Sequence, residues 1–146
     1  KIFIELKAKA EIVPPIAKII ANSSLQPEQI VIISFHADAV AESKKLMPNI
    51  KAYWLCGFKK KKDGTLPPTV DEVAATIKRI RADGLDAEAV TDYVNADFVQ
   101  RLNDAGCQDF SVWTVDDPAV AEFYKKLGAW SITTNRPGYL REELNK

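Results

Sequence analysis

The chain has 146 residues, of which 47% are hydrophobic and 27% are charged, and its 20 basic and 20 acidic residues cancel. This length and balance predict a single soluble domain over residues 1–146. A net charge of zero gives no electrostatic reason to expect a nucleic-acid partner. No apolar run approaches the roughly 20 residues that a membrane-spanning helix needs, so we expect no membrane span.

Strand-like and helix-like segments alternate along the whole chain. Such alternation is typical of βα units around a parallel sheet, and it predicts six units here. The predicted strands are Ile2–Lys7, Ile30–Phe35, Lys51–Cys56, Gly84–Ala87, Phe110–Val115 and Ala129–Thr134. The predicted helices are Glu11–Ser23, Ala37–Met47, Val70–Asp83, Asn95–Ala105, Pro118–Leu127 and Pro137–Asn145.

Several helix ends carry local signals. Thr69 is placed to cap the third helix, with Glu72 three residues later, and Asp117 directly precedes Pro118 at a first helical position. Glycine follows two of the helices, as a left-handed cap prefers. These two glycines are Gly106 and Gly128.

Six βα units fit two architectures. An open doubly wound sheet usually carries a glycine-rich phosphate loop after its first strand, and residues 8–11 here contain no glycine. A (β/α)8 barrel needs eight units and typically about 250 residues. We therefore predict an α/β fold with a parallel sheet of six βα units, an incomplete TIM-like barrel that lacks its first quarter.

The two cysteines, Cys56 and Cys107, are too far apart in sequence for a metal-binding or redox motif. We expect each to be a buried thiol rather than half of a disulfide. This expectation favours a reducing compartment such as the cytoplasm and leaves localisation otherwise open.

The first predicted strand carries charge on one of its faces. Because side chains alternate along a strand, Glu5 and Lys7 point the same way as Phe3, while Ile4 and Leu6 point the other way. If the Ile and Leu face packs under helices, the carboxylate and the ammonium project into the enclosed side of the sheet. A buried acid and base need compensation, so we expect either a ligand site or a mutual ion pair there.

Four motifs at the ends of predicted strands carry a family resemblance. They are Ile4-Glu5-Leu6-Lys7, Ile33-Ser34-Phe35, Val112-Trp113-Thr114-Val115-Asp116 and Thr133-Thr134-Asn135-Arg136-Pro137. In order and spacing the chain resembles the glycerophosphodiester phosphodiesterase family, a barrel of the phosphatidylinositol-phospholipase superfamily, from Ile2 to Leu144. The resemblance implies metal-assisted hydrolysis of glycerophosphodiesters to an alcohol and glycerol 3-phosphate.

The resemblance also implies roles for single residues. Glu5 corresponds to a ligand of the divalent metal, commonly Ca2+ or Mg2+, and Lys7 to a lysine that reaches the substrate phosphate or its glycerol oxygens. Trp113 corresponds to an aromatic wall of the glycerol pocket, and Phe35 lies in the segment that lines the same mouth. We expect Trp54 to join them; the alternative for both tryptophans is core packing.

The motifs that carry the family's acid–base chemistry have no counterpart here. They are a His-Arg pair on the first strand, a Glu and an Asp on the second, and a later histidine. The single histidine, His36, is interpreted as a loop residue or a cap contact at the start of the helix near Ala37, the alternative being a general base. We therefore assign no catalytic residue and expect the chain alone to be inactive. A cation is expected to be weakly held, because Glu5 supplies at most two oxygens of the six to eight that Ca2+ takes, unless Asp86 or a second chain contributes.

An incomplete barrel leaves unpaired edges on its first and last strands. We expect a second copy of the chain to cover them in a homodimer, with a separate strand-donating chain as the alternative. The second reading of function is accordingly a non-catalytic, truncated or engineered barrel fragment that self-associates.

Three polar groups beside the predicted strand ends have structural interpretations. Residues 59–64, four lysines followed by Asp and Gly, are expected to form a solvated loop, the alternative being attraction of an anionic head group. Asp116 and Asp117 are expected to cap a helix, with ligand contact as the alternative for Asp116. Asn135 stands where the family more often has aspartate, and we expect it to cap the last helix.

Overall fold

The computed structural model describes residues 1–59, 62 and 64–146. Within this part, no helix is long and apolar enough to cross a membrane. The strands are Ile2–Glu5 (β1), Ile30–Ser34 (β2), Lys51–Cys56 (β3), Gly84–Glu88 (β4), Asp109–Trp113 (β5) and Ser131–Ile132 (β6). The α-helices are Val13–Ala21 (α1), Ala37–Leu46 (α2), Val70–Ile80 (α3), Ala96–Asp104 (α4), Pro118–Lys126 (α5) and Pro137–Glu143 (α6).

The strands run parallel and lie side by side in the order in which they follow along the chain. A doubly wound sheet reverses its strand order at a switch point, so this sequential order identifies a barrel wall. The sheet curls into an incomplete barrel with a helix after each strand. The predicted α/β class and the six βα units are confirmed, and β1 and β6 are the two edges.

The predicted elements differ from the observed ones mainly at the ends of the chain. The last strand is only Ser131–Ile132, because it pairs with β5 through two residues and, in the described structure, has no neighbour on its other side. The first helix begins with a 3-10 turn, Ala10–Ile12, and becomes an α-helix at Val13. Prolines at its first positions are tolerated because those backbone N–H groups have no partner within a helix.

The local cap signals are confirmed. The Thr69 hydroxyl accepts a hydrogen bond from the Glu72 backbone N–H at 3.3 Å, and the Glu72 carboxylate accepts one from the Thr69 N–H at 2.8 Å. Asp117 accepts from the N–H of Ala119 at 2.7 Å. Gly106 and Gly128 have φ of 89° and 87°, the left-handed conformation that ends a helix.

The helix-facing side of the sheet holds two apolar clusters. The first cluster lies around β1 to β3 and includes Leu6, Ile32 and Val40. The second cluster lies around β3 to β5 and includes Leu85, Phe110 and Tyr124. Trp54 packs against both clusters, and Cys56 and Cys107 are buried in the second, as expected of core thiols.

The inner side of the sheet is closed at the amino ends of the strands by aromatic rings. Tyr53 is fully buried, stacks on Trp130 with ring centroids 5.5 Å apart, and donates a 3.0 Å hydrogen bond to Asp109. Trp130 also meets Phe3, from the opposite edge of the sheet, at 5.8 Å. Burial, together with the Asp109 charge, raises the pKa of Tyr53. The polar groups of the inner face therefore lie closer to the carboxyl ends of the strands than this layer of aromatic rings.

Candidate functional site

Glu5 and Lys7 lie at the carboxyl end of β1, where their charged groups are 3.7 Å apart. Glu5 is the register partner of Ile33 in β2, so Lys7 and Phe35, each two residues further, both follow the carboxyl ends of adjacent strands. The side chains of Lys7 and Glu5 are 81% and 37% exposed. The expectation of a buried pair is therefore wrong, because no described element covers the open side of β1. An exposed pair contributes at most about 1 kcal/mol to stability.

Phe35 and Trp113 meet across the mouth. Their ring centroids are 5.5 Å apart and the rings are nearly perpendicular, at 82°. The Trp113 indole N–H donates a 3.0 Å hydrogen bond to the backbone carbonyl of Asp86, which fixes the plane of the indole. Phe35 is 50% exposed, so its ring leaves an apolar face open to a ligand.

Trp54 lies on the other side of the sheet from Trp113. Its register partners are Ser34 and Leu85, on the helix-facing side, because it alternates with the inward-facing Tyr53. Its indole N–H donates to the backbone carbonyl of Phe35 at 3.2 Å. Trp54 thus supports the Phe35 backbone from behind and does not share the inner wall with Trp113.

Asp86 is an acid enclosed in the inner wall, with 1% of its surface exposed. Burial raises its pKa to about 6; the hydrogen bond from the Ser111 hydroxyl, at 2.8 Å, opposes this shift, and the charge of Glu5 adds to it. The carboxyl groups of Asp86 and Glu5 therefore interact electrostatically.

The divalent metal implied by the resemblance does not find a complete set of ligands in this chain. Nowhere in residues 1–59, 62 and 64–146 do three His, Cys, Asp or Glu side chains converge to hold a metal ion. Glu5 is engaged by the Lys7 ammonium and Asp86 by the Ser111 hydroxyl. Two carboxyl groups supply at most four of the six to eight oxygens that Ca2+ takes, and Mg2+ would need water or a substrate phosphate for its remaining positions, so these residues do not complete a metal site by themselves.

Glu88, at the end of β4, is a site-edge residue that the sequence interpretation did not single out. Its carboxylate accepts from the backbone N–H groups of Phe58 at 3.0 Å and Lys59 at 3.2 Å, and pairs with the Lys59 ammonium at 2.7 Å. Partial burial raises the pKa of Glu88, but the hydrogen bonds from Lys59 and Phe58 outweigh burial and hold the pKa below its usual range. The period-two spacing of Asp86 and Glu88 was the available signal, since it puts both on the inner face.

The predicted lysine-rich loop is described only in part. Residues 60, 61 and 63 lie outside the described residues. Lys59 is ion-paired with Glu88 and 74% exposed along its side chain, and Lys62 is exposed. The start of the loop is therefore tied to the end of β4, in addition to being solvated.

His36 and Asp117 have the structural roles that were predicted for them. His36 directly precedes α2, its backbone N–H donates to the Ser34 hydroxyl at 3.0 Å, and its side chain makes no cap hydrogen bond. Asp117 caps α5.

Asp116 and Asn135 form a clasp between the loops after β5 and β6. Asp116 accepts from the Asn135 side-chain amide at 2.9 Å, from the Asn135 backbone N–H at 2.8 Å and from the Thr134 hydroxyl at 2.8 Å. These bonds from Asn135 and Thr134 hold the pKa of Asp116 below its usual range. The expectation that both residues cap helices is wrong, because Arg136 precedes α6 and Asp116 is engaged by the neighbouring loop.

A parallel wall of βα units with its polar and aromatic groups at the carboxyl ends of the strands defines a TIM-barrel-like α/β domain. The sequence model of the glycerophosphoryl diester phosphodiesterase family matches residues 3–139. The chain belongs to this family.

Solved structures share the fold. A phosphodiesterase from Oleispira antarctica, in complex with the product sn-glycerol-3-phosphate, is 15% identical with a TM-score of 0.73, over 97% of this chain and 54% of that one. A glycerophosphodiester phosphodiesterase from Parabacteroides distasonis is 24% identical with a TM-score of 0.65, over 98% and 56%. One from Thermotoga maritima is 16% identical with a TM-score of 0.62, over 90% and 52%. The chain thus spans about half the length of these structures, and the comparison with curated proteins found no match.

Proposed function

We propose that this domain supplies the phosphate- and glycerol-binding side of a glycerophosphodiester phosphodiesterase site. The reaction of the whole site is metal-assisted hydrolysis of a glycerophosphodiester to an alcohol and glycerol 3-phosphate. One observation carries the proposal: the rings of Phe35 and Trp113 meet, with centroids 5.5 Å apart, at the carboxyl edge of the sheet, the same edge at which the exposed Lys7 side chain follows β1. Family membership supports it.

Each residue at this edge offers a group that suits one part of such a substrate. The exposed Lys7 ammonium attracts a phosphate anion, and the faces of Phe35 and Trp113 pack against the carbon-bound hydrogens of glycerol. Glu5 offers a carboxylate to Ca2+ or Mg2+, and its own two oxygens would hold the ion weakly. The Oleispira antarctica relative contains glycerol 3-phosphate, the ligand that these groups would bind here.

We further propose that the 146-residue chain binds without turnover. Hydrolysis of a phosphodiester requires a general acid and a general base placed on either side of the phosphorus. The one histidine of the chain lies at the start of α2, and the site-edge carboxylates Glu5 and Glu88 are each engaged by a lysine.

Titration with glycerol 3-phosphate, followed by tryptophan fluorescence, tests the binding proposal. We expect saturable binding that Lys7→Met weakens about tenfold or more, since a charge-assisted contact to phosphate is lost. Lys9→Met, which removes an exposed lysine two residues further on, is the matched control and leaves the affinity unchanged. Absence of saturable binding, or equal loss in both variants, would contradict the proposal.

Turnover is tested separately with glycerophosphocholine and added Ca2+ or Mg2+. We expect no hydrolysis by the chain alone. Hydrolysis that disappears in Glu5→Gln would overturn the inactive state and show that the chain assembles its own metal site.

The second candidate function is a non-catalytic domain that associates through its edge strands. It is favoured by β1, where Ile2 and Phe3 are 47% and 38% exposed although both are large and apolar. The occupant would be a second copy or a strand-donating chain. Sedimentation over a wide range of concentrations tests it: self-association without glycerol 3-phosphate binding supports this candidate, and a monomer at the highest concentration excludes the homodimer.

A further inference from the structure

A groove with a cavity volume of about 940 Å3 lies beside Phe35, between the end of β3 and the loop that leads to α3. It is separate from the Glu5–Lys7 pair, neither of which lines it. Most of its described lining is apolar. The apolar residues of this lining include Phe35, Trp54, Leu55, Leu66, Pro67 and Pro68.

The groove opens onto the proposed glycerol site through two shared boundaries. Phe35 lines the groove and its ring also meets Trp113 at 5.5 Å. Glu88 lines the groove and is the register partner of Trp113 across β4 and β5. Phe35 and Glu88 therefore form the border between the groove and the proposed glycerol site.

The charged side chains that line the described part of the groove are already compensated. The Lys59 ammonium pairs with Glu88 at 2.7 Å, and the Glu72 carboxylate accepts the N–H and hydroxyl of Thr69 at 2.8 and 2.9 Å. Leu66 is 73% exposed in the structure. Burying such a side chain against another apolar group is favourable, whereas a charged guest would compete with pairs that are already made.

We propose that this groove is the subsite for the alcohol part of the diester, and that it favours an alcohol with an apolar chain over a charged head group. The inference rests on the proposed function, because a phosphate beside Lys7 is what directs the alcohol past Phe35. A phosphodiester carries its two ester oxygens on one tetrahedral phosphorus, so with glycerol against Trp113 the second substituent points away from glycerol and can extend past Phe35 into the groove.

Binding to the 146-residue chain tests the subsite with three probes: glycerol 3-phosphate, glycerophosphocholine, and the octyl diester of glycerol 3-phosphate below its micelle concentration. We expect the octyl diester to bind about tenfold or more tightly than the other two, because its chain buries apolar surface on Leu66. Leu66→Asp should remove this gain and leave glycerol 3-phosphate binding unchanged. Leu25→Asp alters another exposed leucine, at the amino end of the strands, and should preserve the gain.

The outcomes separate the subsite from the function on which it rests. If glycerol 3-phosphate binds in a Lys7-dependent way but the octyl chain adds nothing, the proposed function stands and the apolar subsite is overturned. Tighter binding of glycerophosphocholine than of the octyl diester would overturn it in favour of a charged head group. A third outcome is that the octyl diester binds, glycerol 3-phosphate does not bind, and Lys7→Met leaves the affinity for the octyl diester unchanged. In that case the proposed function fails and the alcohol assignment fails with it.

Discussion

The hydroxyl of Ser111 donates a 2.8 Å hydrogen bond to the carboxyl group of Asp86, across two adjacent strands and inside the barrel wall. Asp86 is 1% exposed, so burial disfavours its charged form and raises its pKa to about 6. The bond from Ser111 limits the shift, and the Glu5 charge increases it. The wall beneath the mouth therefore contains a carboxyl group that ionises close to neutral pH.

This carboxyl group should make the folded state more stable in mild acid than in mild alkali. In the unfolded chain its pKa is about 3.9, so between about pH 4 and pH 6 the folded state holds a proton that the unfolded state has lost. Stability from this group is complete below pH 4 and falls as pH rises through 6, by roughly 2–3 kcal/mol. Asp86→Asn should remove this pH dependence of stability and raise the free energy of unfolding at pH 8. Urea unfolding of both proteins at pH 4 and pH 8 measures these changes. Equal pH dependence of the two proteins would contradict the assignment.

Replacement of Lys44 should destabilise the fold more than replacement of an exposed lysine. Its ammonium lies 2.8 Å from the carboxylate of Asp83 and donates to the backbone carbonyls of Pro48 at 2.9 Å and Ile50 at 3.0 Å. The side chain is 12% exposed, so few waters can replace it. We expect Lys44→Met to lower the free energy of unfolding by about 2–3 kcal/mol, because two carbonyls lose the ammonium donor and the Asp83 carboxylate keeps only its hydrogen bond from the Ala52 N–H.

The adjacent lysine is the matched control. Lys45 is 71% exposed and pairs only with Glu42 at 3.2 Å among the described contacts. Lys45→Met should change the free energy of unfolding by less than about 0.5 kcal/mol. Equal losses in the two variants would show that charge, and not the buried bonding of Lys44, determines the effect.

Gly84 should not tolerate even a methyl group. A Cβ there would overlap the backbone carbonyl of Asp109 and stand 2.8 Å from the Tyr53 ring. We expect Gly84→Ala to cost about 3 kcal/mol or more, since neither strand β5 nor the buried ring can move aside. Gly138→Ala is the control, because nothing lies within 4 Å of its added Cβ. That helical substitution should be neutral or stabilise by about 0.5 kcal/mol in the same unfolding assay.

The loop clasp should be visible in the titration of one carboxyl group. Asn135→Ala removes the side-chain donor with the largest effect on Asp116, so the pKa of Asp116 should rise toward its ordinary value. In the wild type the stabilisation from this group is present above the unfolded pKa and is lost as pH falls through the folded pKa. Carboxyl-carbon NMR titration measures both values. An unchanged pKa in the variant would show that Thr134 and the backbone hold Asp116 without the amide.

Local patterns predicted those parts of the fold that depend on neighbours in sequence. The cap at Thr69 uses Glu72, three residues away, and the bounds of Lys51–Cys56 follow from a strand covered on both sides. The edge strands were predicted less well, because their length depends on which strands lie beside them. Ser131–Ile132 is short for this reason, although Trp130 and Thr133, which flank it, are residue types that favour strands.

For the candidate site, the sequence predicted which residues lie at the carboxyl ends of the strands. The alternation along β1 placed Glu5 and Lys7 on one face, but their exposure depends on an adjacent element that sequence alone does not position. Trp54 was expected beside Trp113 but lies on the helix-facing side, where it lines the groove, since one residue of register decides the face. The clasp of Asp116 with Asn135 joins residues 19 apart in different loops, beyond the range of any local pattern.

The two edge strands of the described sheet differ in length, because β1 has four residues and β6 has two. A contact of β6 in one copy with β1 in the next is therefore head-to-tail, and repeats the same rotation with every copy added. It closes into a ring only when that rotation divides a full turn, and otherwise extends as a filament. The curl is tight enough for Phe3 to meet Trp130 from the opposite edge. The curl of the described sheet therefore brings its first and last strands toward each other at their amino ends, which limits the room for any strand added between them.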